Sequence, residues 1–311
     1  MMSNKLMQEY LAIYTEFGTR PFTLKDASGL LGTSSIMLRK DAYKLRENFA
    51  LRGIKRGTYQ ATEPEKWIGI AMALLRLPEL GPLIQSILPG LQNIESMLLY
   101  GSRIRGDFRK DSDYDLLIIT DGTDLFTEEE VDLLKKHNFN LRVDYEADLK
   151  KDVSERPLSI VPILREGWPL FNAKLRDRLL SFYKKENLLK DLRRLSESII
   201  KNKYHALDGL KPSARPSSLF LSYSFSRQLY LMEVLMEEVG FNTWDWLERA
   251  SEIWKLERAT VNRLHRVYRD VEKEKKVDGR VLKNSVLGKM AIGNDRYLNM
   301  LMEKWAGYNG Q

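Results

Sequence analysis

The chain has 311 residues, of which 43% are hydrophobic and 30% charged, so it is long enough for roughly two or three domains with buried cores. It contains no cysteine, which excludes disulfides, thiol nucleophiles and cysteine-ligated zinc. It has no apolar run of about eighteen residues, and its first residues lack the profile of a secretory signal. We therefore expect a cytoplasmic protein without a membrane partner.

The net charge of +7 is unevenly distributed along the chain. Residues 1–64 hold ten Lys and Arg against six Asp and Glu, residues 65–172 hold thirteen against nineteen, and residues 173–311 hold twenty-seven against eighteen. An acidic middle between basic ends suits a carboxylate-based metal centre flanked by surfaces that attract a polyanion. Solvated helix faces would equally explain the basic C-terminal part.

The first 64 residues predict three helices followed by a hairpin. Apolar residues recur at helical spacing over residues 4–17, Thr23 is a candidate N-cap for a second helix ending at Gly32, and Ser34 is among the candidates to cap a third. Residues 51–60 read as two short strands around Arg56-Gly57. This arrangement resembles a winged helix-turn-helix domain, in which the second helix of the motif enters the major groove of DNA.

That resemblance implies a set of nucleic-acid-binding residues on the third helix and the wing. They are Ser34, Ser35, Arg39, Lys40, Lys44, Arg52, Lys55 and Arg56. Winged helices also serve as protein–protein modules, so a protein partner stays open as an alternative.

Residues 98–119 carry the strongest indication of chemistry. An apolar run stops at Gly101-Ser102, and a second begins where Asp113 and Asp115 stand two residues apart. Side chains two apart in a strand share one face, with Cα atoms roughly 6.5–7 Å apart. Two such carboxylates suit Mg²⁺, and a Gly-Ser turn offers N–H and hydroxyl groups to phosphate. Either pattern alone is more often a solvated strand end or a plain turn.

The joint arrangement resembles the signature of the DNA polymerase β-like nucleotidyltransferases, especially their minimal nucleotidyltransferase branch. The version in that branch reads Gly-Ser-x-Ala-Arg-Gly before Ser-Asp-x-Asp. This chain has Gly-Ser-Arg-Ile-Arg-Gly at 101–106 and Ser-Asp-Tyr-Asp at 112–115, so that only Ile104 departs from the pattern.

The resemblance implies a third carboxylate from a later strand. Residues 140–146 alternate, with Leu141 and Val143 on one face and Arg142 and Asp144 on the other. By similarity Asp144 is the third metal ligand and the base that activates the acceptor. Glu146 and Asp148 are the fallback candidates.

The resemblance also implies a role for each of these groups in binding the metal ions and the nucleotide. Two Mg²⁺ ions roughly 3.5–4 Å apart would be held by Asp113, Asp115 and Asp144. Ser102 and the backbone at Gly101 would hold the β- and γ-phosphates of an NTP. The loop cations would stabilise charge on the leaving group, or else form a solvated basic loop. They are Arg103, Arg105, Arg109 and Lys110.

The remaining patterns complete an α/β domain and a helical domain. We expect a helix from Glu65, a helix over about 127–137, a last strand at 159–163 and a closing turn at 166–169, which together favour a mixed sheet. Residues 174–311 show helical-bundle patterning without a convincing strand. The expected domains are a winged helix at 1–64, a catalytic α/β domain at 65–172 and a helical domain at 173–311.

Two hypotheses follow. The first is a Mg²⁺-dependent nucleotidyltransferase that moves a nucleoside monophosphate from an NTP to an acceptor hydroxyl on a nucleic acid, a protein or a small molecule. The second is a DNA-binding regulator or antitoxin that retains the nucleotide pocket as a sensor. The intact Gly-Ser and Asp-x-Asp patterns, together with Asp144 as a third carboxylate, favour the first.

Overall fold

The computed structural model describes residues 3–87, 91, 93–108, 112–121, 132, 135–136, 138–191, 194, 211–273 and 275–305. The chain divides into two compact units. The first comprises residues 1–104, 109–149 and 167–179, and the second comprises residues 105–108, 150–166 and 180–311. None of the described helices is long and apolar enough to cross a membrane.

The first unit begins with helices α1 (Asn4–Phe17), α2 (Leu24–Leu31) and α3 (Ser35–Glu47), together with strands β1 (Phe22–Thr23), β2 (Leu51–Lys55) and β3 (Thr58–Ala61). The strands form an antiparallel sheet in the order β1-β3-β2. Thr23 and Asp26 form a capping box at the start of α2, and Gly32 ends this helix in the left-handed conformation. The helices share a core with the sheet that includes Tyr10 and Leu45.

The first unit continues through α4 (Pro64–Arg76), α5 (Gly81–Ile87), β4 (Ile94–Tyr100), the short helix α6 (Ser102–Arg105), β5 (Tyr114–Thr120) and β6 (Phe139–Tyr145). After β6 come α7 (Glu146–Glu155) and α8 (Pro157–Glu166), of which residues 150–166 belong to the second unit. The first unit resumes at residue 167 with β7 (Trp168–Phe171) and α9 (Ala173–Leu180). The strands form a four-stranded sheet in the order β6-β5-β4-β7. It is mixed, as predicted, because β5 and β6 run parallel while β4 is antiparallel to both β5 and β7.

One face of this sheet forms a core that positions the start of β5. Tyr114, Leu116 and Ile118 are buried there together with residues of α4 and α5. The alternation of β5 therefore points Asp115 to the opposite face.

Two local predictions after β6 were wrong. Residues 159–163, predicted as a strand, lie within α8, where Leu158, Val161 and Leu164 are buried at helical spacing. A short apolar run does not separate strand from helix by itself. The closing turn was predicted at 166–169, but Trp168 and Pro169 begin strand β7. Because β7 is an edge strand, Pro169 is tolerated there. The helix predicted at 127–137 falls mostly outside the described residues.

The second unit is helical in its described C-terminal part. Its long helices are α10 (Arg215–Met236), α11 (Thr243–Trp254), α12 (Arg258–Glu272) and α13 (Asn284–Trp305). Helix α10 packs on α12 and α13, and α11 packs on α13. Tyr223, Trp246 and Trp254 are buried at the centre, with ring centroids 5.7–5.8 Å apart and edge-on geometry. Among the described residues after Phe171 there is no strand.

Candidate active site

The Gly-Ser turn lies directly against one of the predicted carboxylates. Strand β4 ends at Tyr100, and Gly101 follows with a φ of +82°. A Cβ atom built on Gly101 would lie 2.1 Å from Oδ2 of Asp115. Both the positive φ and this close approach require glycine. The fold thus brings together the two halves of the sequence pattern.

Asp115 is fixed from a second side by a residue that the sequence did not single out. Tyr100 on β4 is its antiparallel partner, and Asn140 on β6 is its parallel partner. The amide Nδ2 of Asn140 donates a hydrogen bond of 2.9 Å to Oδ1 of Asp115. The two oxygens of Asp115 therefore have different neighbours, the amide at Oδ1 and the glycine backbone at Oδ2.

Asp113 stands at the entrance to the same strand. It immediately precedes Tyr114, whose ring packs 5.5 Å from that of Phe139 in the core. Asp113 and Asp115 are both half-buried, whereas Ser112 and Tyr114 are buried. This alternation of burial is the one expected if both carboxylates lie on the side of the strand start away from the core.

Asp144 lies further along the sheet. Its ladder partner is Ile119, four residues beyond Asp115, which corresponds to about 13 Å along the strand. The Asp144 carboxylate forms an ion pair with Nε of Arg142 on the same strand. The charges of Asp115 and Asp144 both affect the pKa of the Tyr100 hydroxyl. The pKa of Tyr100 is raised to about 12, and burial of the hydroxyl is the largest cause. The negative charges of Asp115 and Asp144 also raise this pKa, whereas the positive charge of Arg142 opposes them.

The described residues contain no group of three His, Asp or Glu side chains arranged to hold a metal ion. This is compatible with a magnesium–nucleotide site. Mg²⁺ is commonly held by one or two carboxylates while substrate phosphates and water complete its oxygen shell. Asp115 supplies a carboxylate beside the Gly101 turn and Asp113 a second one two residues earlier, so the donor set fits a cation that is bound together with a triphosphate.

Arg103 braces the loop between the two halves of the pattern. Its Nε donates a 2.7 Å hydrogen bond to the carbonyl of Ser112, and its guanidinium lies 4.1 Å from the ring centroid of Tyr114. These contacts hold both residues that flank Asp113. The sequence prediction of a phosphate contact for Arg103 did not foresee this bracing role.

Arg105 belongs to the second unit, where it forms ion pairs with Asp107 and Glu166. Glu166 also accepts a hydrogen bond from the Phe241 backbone, and Asp107 accepts one from that of Thr243. Burial raises the pKa of Glu166 despite Arg105. For Asp107, burial is outweighed by the hydrogen bonds from Thr243 and by Arg105, and the pKa is lowered. The remaining loop cations of the prediction, Arg109 and Lys110, lie outside the described residues.

The residues predicted to bind nucleic acid divide into two groups. Ser34 caps α3 by accepting a hydrogen bond from the backbone of Met37. The exposed group is Ser34, Ser35, Arg39, Lys40, Lys44, Lys55 and Arg56. Arg52 differs, because it is half-buried and its Nε donates a 2.9 Å hydrogen bond to Gln60. Its position favours a structural role within the sheet.

Comparison with known proteins adds one finding. Residues 83–176 match the family model described as Polymerase beta, Nucleotidyltransferase. The matched stretch includes Gly101, Asp113, Asp115 and Asp144. It supports the superfamily that the sequence pattern predicts, and with it nucleotidyl transfer in general. No curated protein matches the chain significantly.

Proposed function

We propose that this chain transfers a nucleoside monophosphate from an NTP to an acceptor hydroxyl. The observation that carries the proposal is the contact between the Gly101 backbone and the Asp115 carboxylate within a stretch that matches a nucleotidyltransferase model. A positive-φ glycine turn suits phosphate oxygens, and an adjacent carboxylate pair suits the cation that accompanies them.

In this proposal Asp113 and Asp115 hold the divalent cations, two Mg²⁺ ions as the resemblance implies, and Ser102 with the Gly101 backbone holds the β- and γ-phosphates. When bound, the cations lower the pKa of the acceptor hydroxyl and neutralise charge on the leaving pyrophosphate. The acceptor oxygen forms a bond to the α-phosphorus, and the bond from that phosphorus to the oxygen bridging to the β-phosphorus breaks. Pyrophosphate leaves with the electron pair of that bond.

Asp144 is proposed as the carboxylate that takes the acceptor proton. Its support is the sequence pattern, its place on the strand next to Asp115, and its charge acting on the Tyr100 hydroxyl within the same face. In the structure the Asp144 carboxylate forms an ion pair with Arg142, and this ion pair would have to break in the reacting complex.

The loop cations take two roles in the proposal. Arg103 holds the segment next to Asp113 through its hydrogen bond to the Ser112 carbonyl, whereas Arg105 makes its contacts within the second unit. Arg109 and Lys110 stay the predicted partners of the leaving phosphates.

We propose further that the N-terminal helices and hairpin form a winged helix that binds duplex nucleic acid. The supporting observation is the exposed face of α3, where Arg39, Lys40 and Lys44 stand beside exposed Tyr43. Lys55 and Arg56 extend the same charge onto the β2–β3 turn. Exposed cations on a helix and a wing suit contacts with the phosphate backbone of a duplex.

The proposed activity is tested by incubating the protein with each of four α-labelled NTPs, Mg²⁺ and a cell lysate that supplies acceptors. We expect labelled acceptor with the wild type, and none with Asp113→Asn or Asp115→Asn. Asp177→Asn is the matched control, because Asp177 is exposed and pairs only locally with Arg176 in the described contacts. Nucleic-acid binding without label transfer would instead support the regulator or antitoxin alternative.

A further inference from the structure

Asn140 occupies the position in the sheet that faces Asp115 most directly. The parallel ladder between β5 and β6 pairs these two residues, and neighbouring strands lie about 4.8 Å apart. Paired residues in a ladder project to the same face of the sheet. Asn140 is exposed, so a ligand bound at Asp115 would also meet its side chain.

The contact between the two side chains sets the orientation of the carboxylate. The Asn140 amide donates to Oδ1, while Oδ2 lies against the Gly101 backbone beside the Gly-Ser turn. A carboxylate with one oxygen held by a neutral amide cannot rotate freely about its χ2 angle. Groups that hold a metal-binding carboxylate in this way commonly change metal affinity about 10–100-fold when they are removed.

We infer that Asn140 is a positioning residue of the active site. It orients Asp115 for the nucleotide-bound cation, and its neutral side chain limits the negative charge at the ladder position next to Asp115. Asp144, the candidate for the third carboxylate, stands four residues further along the same strand. The inference rests on the proposed function, because it takes Asp115 to be a cation ligand.

Two substitutions at Asn140 should have opposite effects on cation binding. Asn140→Ala removes the amide that holds Oδ1 of Asp115, so the carboxylate is less well oriented and cation binding weakens. Asn140→Asp keeps the side-chain size and places a third carboxylate next to Asp115. In the absence of cations the two like charges repel each other. A divalent cation relieves the repulsion, so it should bind more tightly and stabilise this variant more than the wild type.

The test measures Mn²⁺ binding by electron paramagnetic resonance on the full chain, in the presence of an ATP analogue with a methylene group between the α- and β-phosphates. This readout is independent of turnover. Thermal unfolding of each variant with and without Mn²⁺ monitors folding. Asn242→Asp is the matched control, since it adds one negative charge at a helix N-cap where aspartate serves equally well.

We expect the Mn²⁺ dissociation constant to rise about tenfold in Asn140→Ala, because the group that orients Asp115 is lost. It should fall below the wild-type value in Asn140→Asp and stay unchanged in Asn242→Asp. Mn²⁺ should raise the melting temperature of Asn140→Asp by more than that of the wild type. If both Asn140 variants bind Mn²⁺ as the wild type does while Asp115→Asn loses it, the inference about Asn140 is overturned and the proposed function stands. If Asp115→Asn also binds normally, the proposed function itself fails.

Discussion

Gly101 and Asp115 touch across the antiparallel pair of strands that meets at the turn, with no room for a side chain on the glycine. A Cβ atom at Gly101 would come within 2.1 Å of Oδ2 and 2.9 Å of Cγ of Asp115. The glycine that shapes the turn therefore also fixes the distance between the turn and the carboxylate.

The substitution Gly101→Ala should accordingly damage the site more than the fold. The positive φ alone costs about 1–2 kcal/mol for a residue with a Cβ. The clash must in addition displace Asp115, and misplacement by an ångström can lower turnover by about 100-fold. Steady-state transfer and denaturant unfolding measure the two effects separately. Gly32→Ala is the control, because Gly32 has a φ of +59° but open space around it, so it should lose stability only.

Removing the guanidinium of Arg103 should loosen the segment that carries Asp113. Arg103→Met loses the hydrogen bond to the Ser112 carbonyl, and a bond to a charged group contributes about 1.5–3 kcal/mol. We expect a lower unfolding midpoint in urea and a raised KM for NTP. Arg76→Met is the comparison, since Arg76 stacks on Trp168 at 4.9 Å, and that contact contributes about 1 kcal/mol. Equal losses in the two variants would contradict the bracing role of Arg103.

The lowered pKa of Asp107, an acidic partner of Arg105, makes the stability of the protein depend on pH. The pKa of Asp107 is lowered in the folded protein, because the hydrogen bonds from Thr243 and the Arg105 charge outweigh burial. A carboxyl group whose folded pKa lies below its unfolded value stabilises the protein above the unfolded pKa of about 3.9. That contribution is lost as pH falls through the folded pKa.

The wild type should therefore be more stable than Asp107→Asn at pH 7, and the difference should shrink as the pH is lowered below about 4. Urea unfolding of both proteins across this range measures it. A difference that stays constant down to pH 3 would show that the charge of Asp107 contributes nothing.

Exposed Lys40 and half-buried Arg52 should contribute differently to the salt dependence of nucleic-acid binding. Lys40→Ala removes an exposed cation of α3, so the slope of log Kd against log salt for a labelled duplex should fall by about one. Arg52→Ala should keep the wild-type slope and lower the melting temperature, because Arg52 hydrogen-bonds Gln60. A slope that neither substitution changes would argue for a protein partner on this face.

Local patterns were sufficient for much of the fold. The Thr23 N-cap, the Gly32 helix end and the alternation around Asp113 and Asp115 depend on residues within a few positions of each other. Spacing within one segment therefore predicts them. The strand predicted at 159–163 failed because burial in α8 follows tertiary packing that a short apolar run does not encode.

Contacts between residues that are far apart in the sequence could not be predicted from local spacing. The pairing of Asp115 with Asn140 depends on the register of two strands separated by 18 residues of chain, and the partner of Arg105, Glu166, lies 61 residues away. Alternation gives the face of Asp144 but not its register against Asp115. The carboxylates therefore stay predictions from local spacing, whereas the Asn140 and Glu166 contacts could not be predicted from it.

The most direct test is a comparison of α-labelled and γ-labelled NTP with purified protein, Mg²⁺ and the acceptor identified from the lysate. Nucleotidyl transfer must carry the α-label into the acceptor and the γ-label into pyrophosphate, and both must vanish in Asp115→Asn. Acceptor carrying the γ-label, or α-label transfer that persists in Asp115→Asn, would contradict a nucleotidyltransferase site at the Gly101 turn.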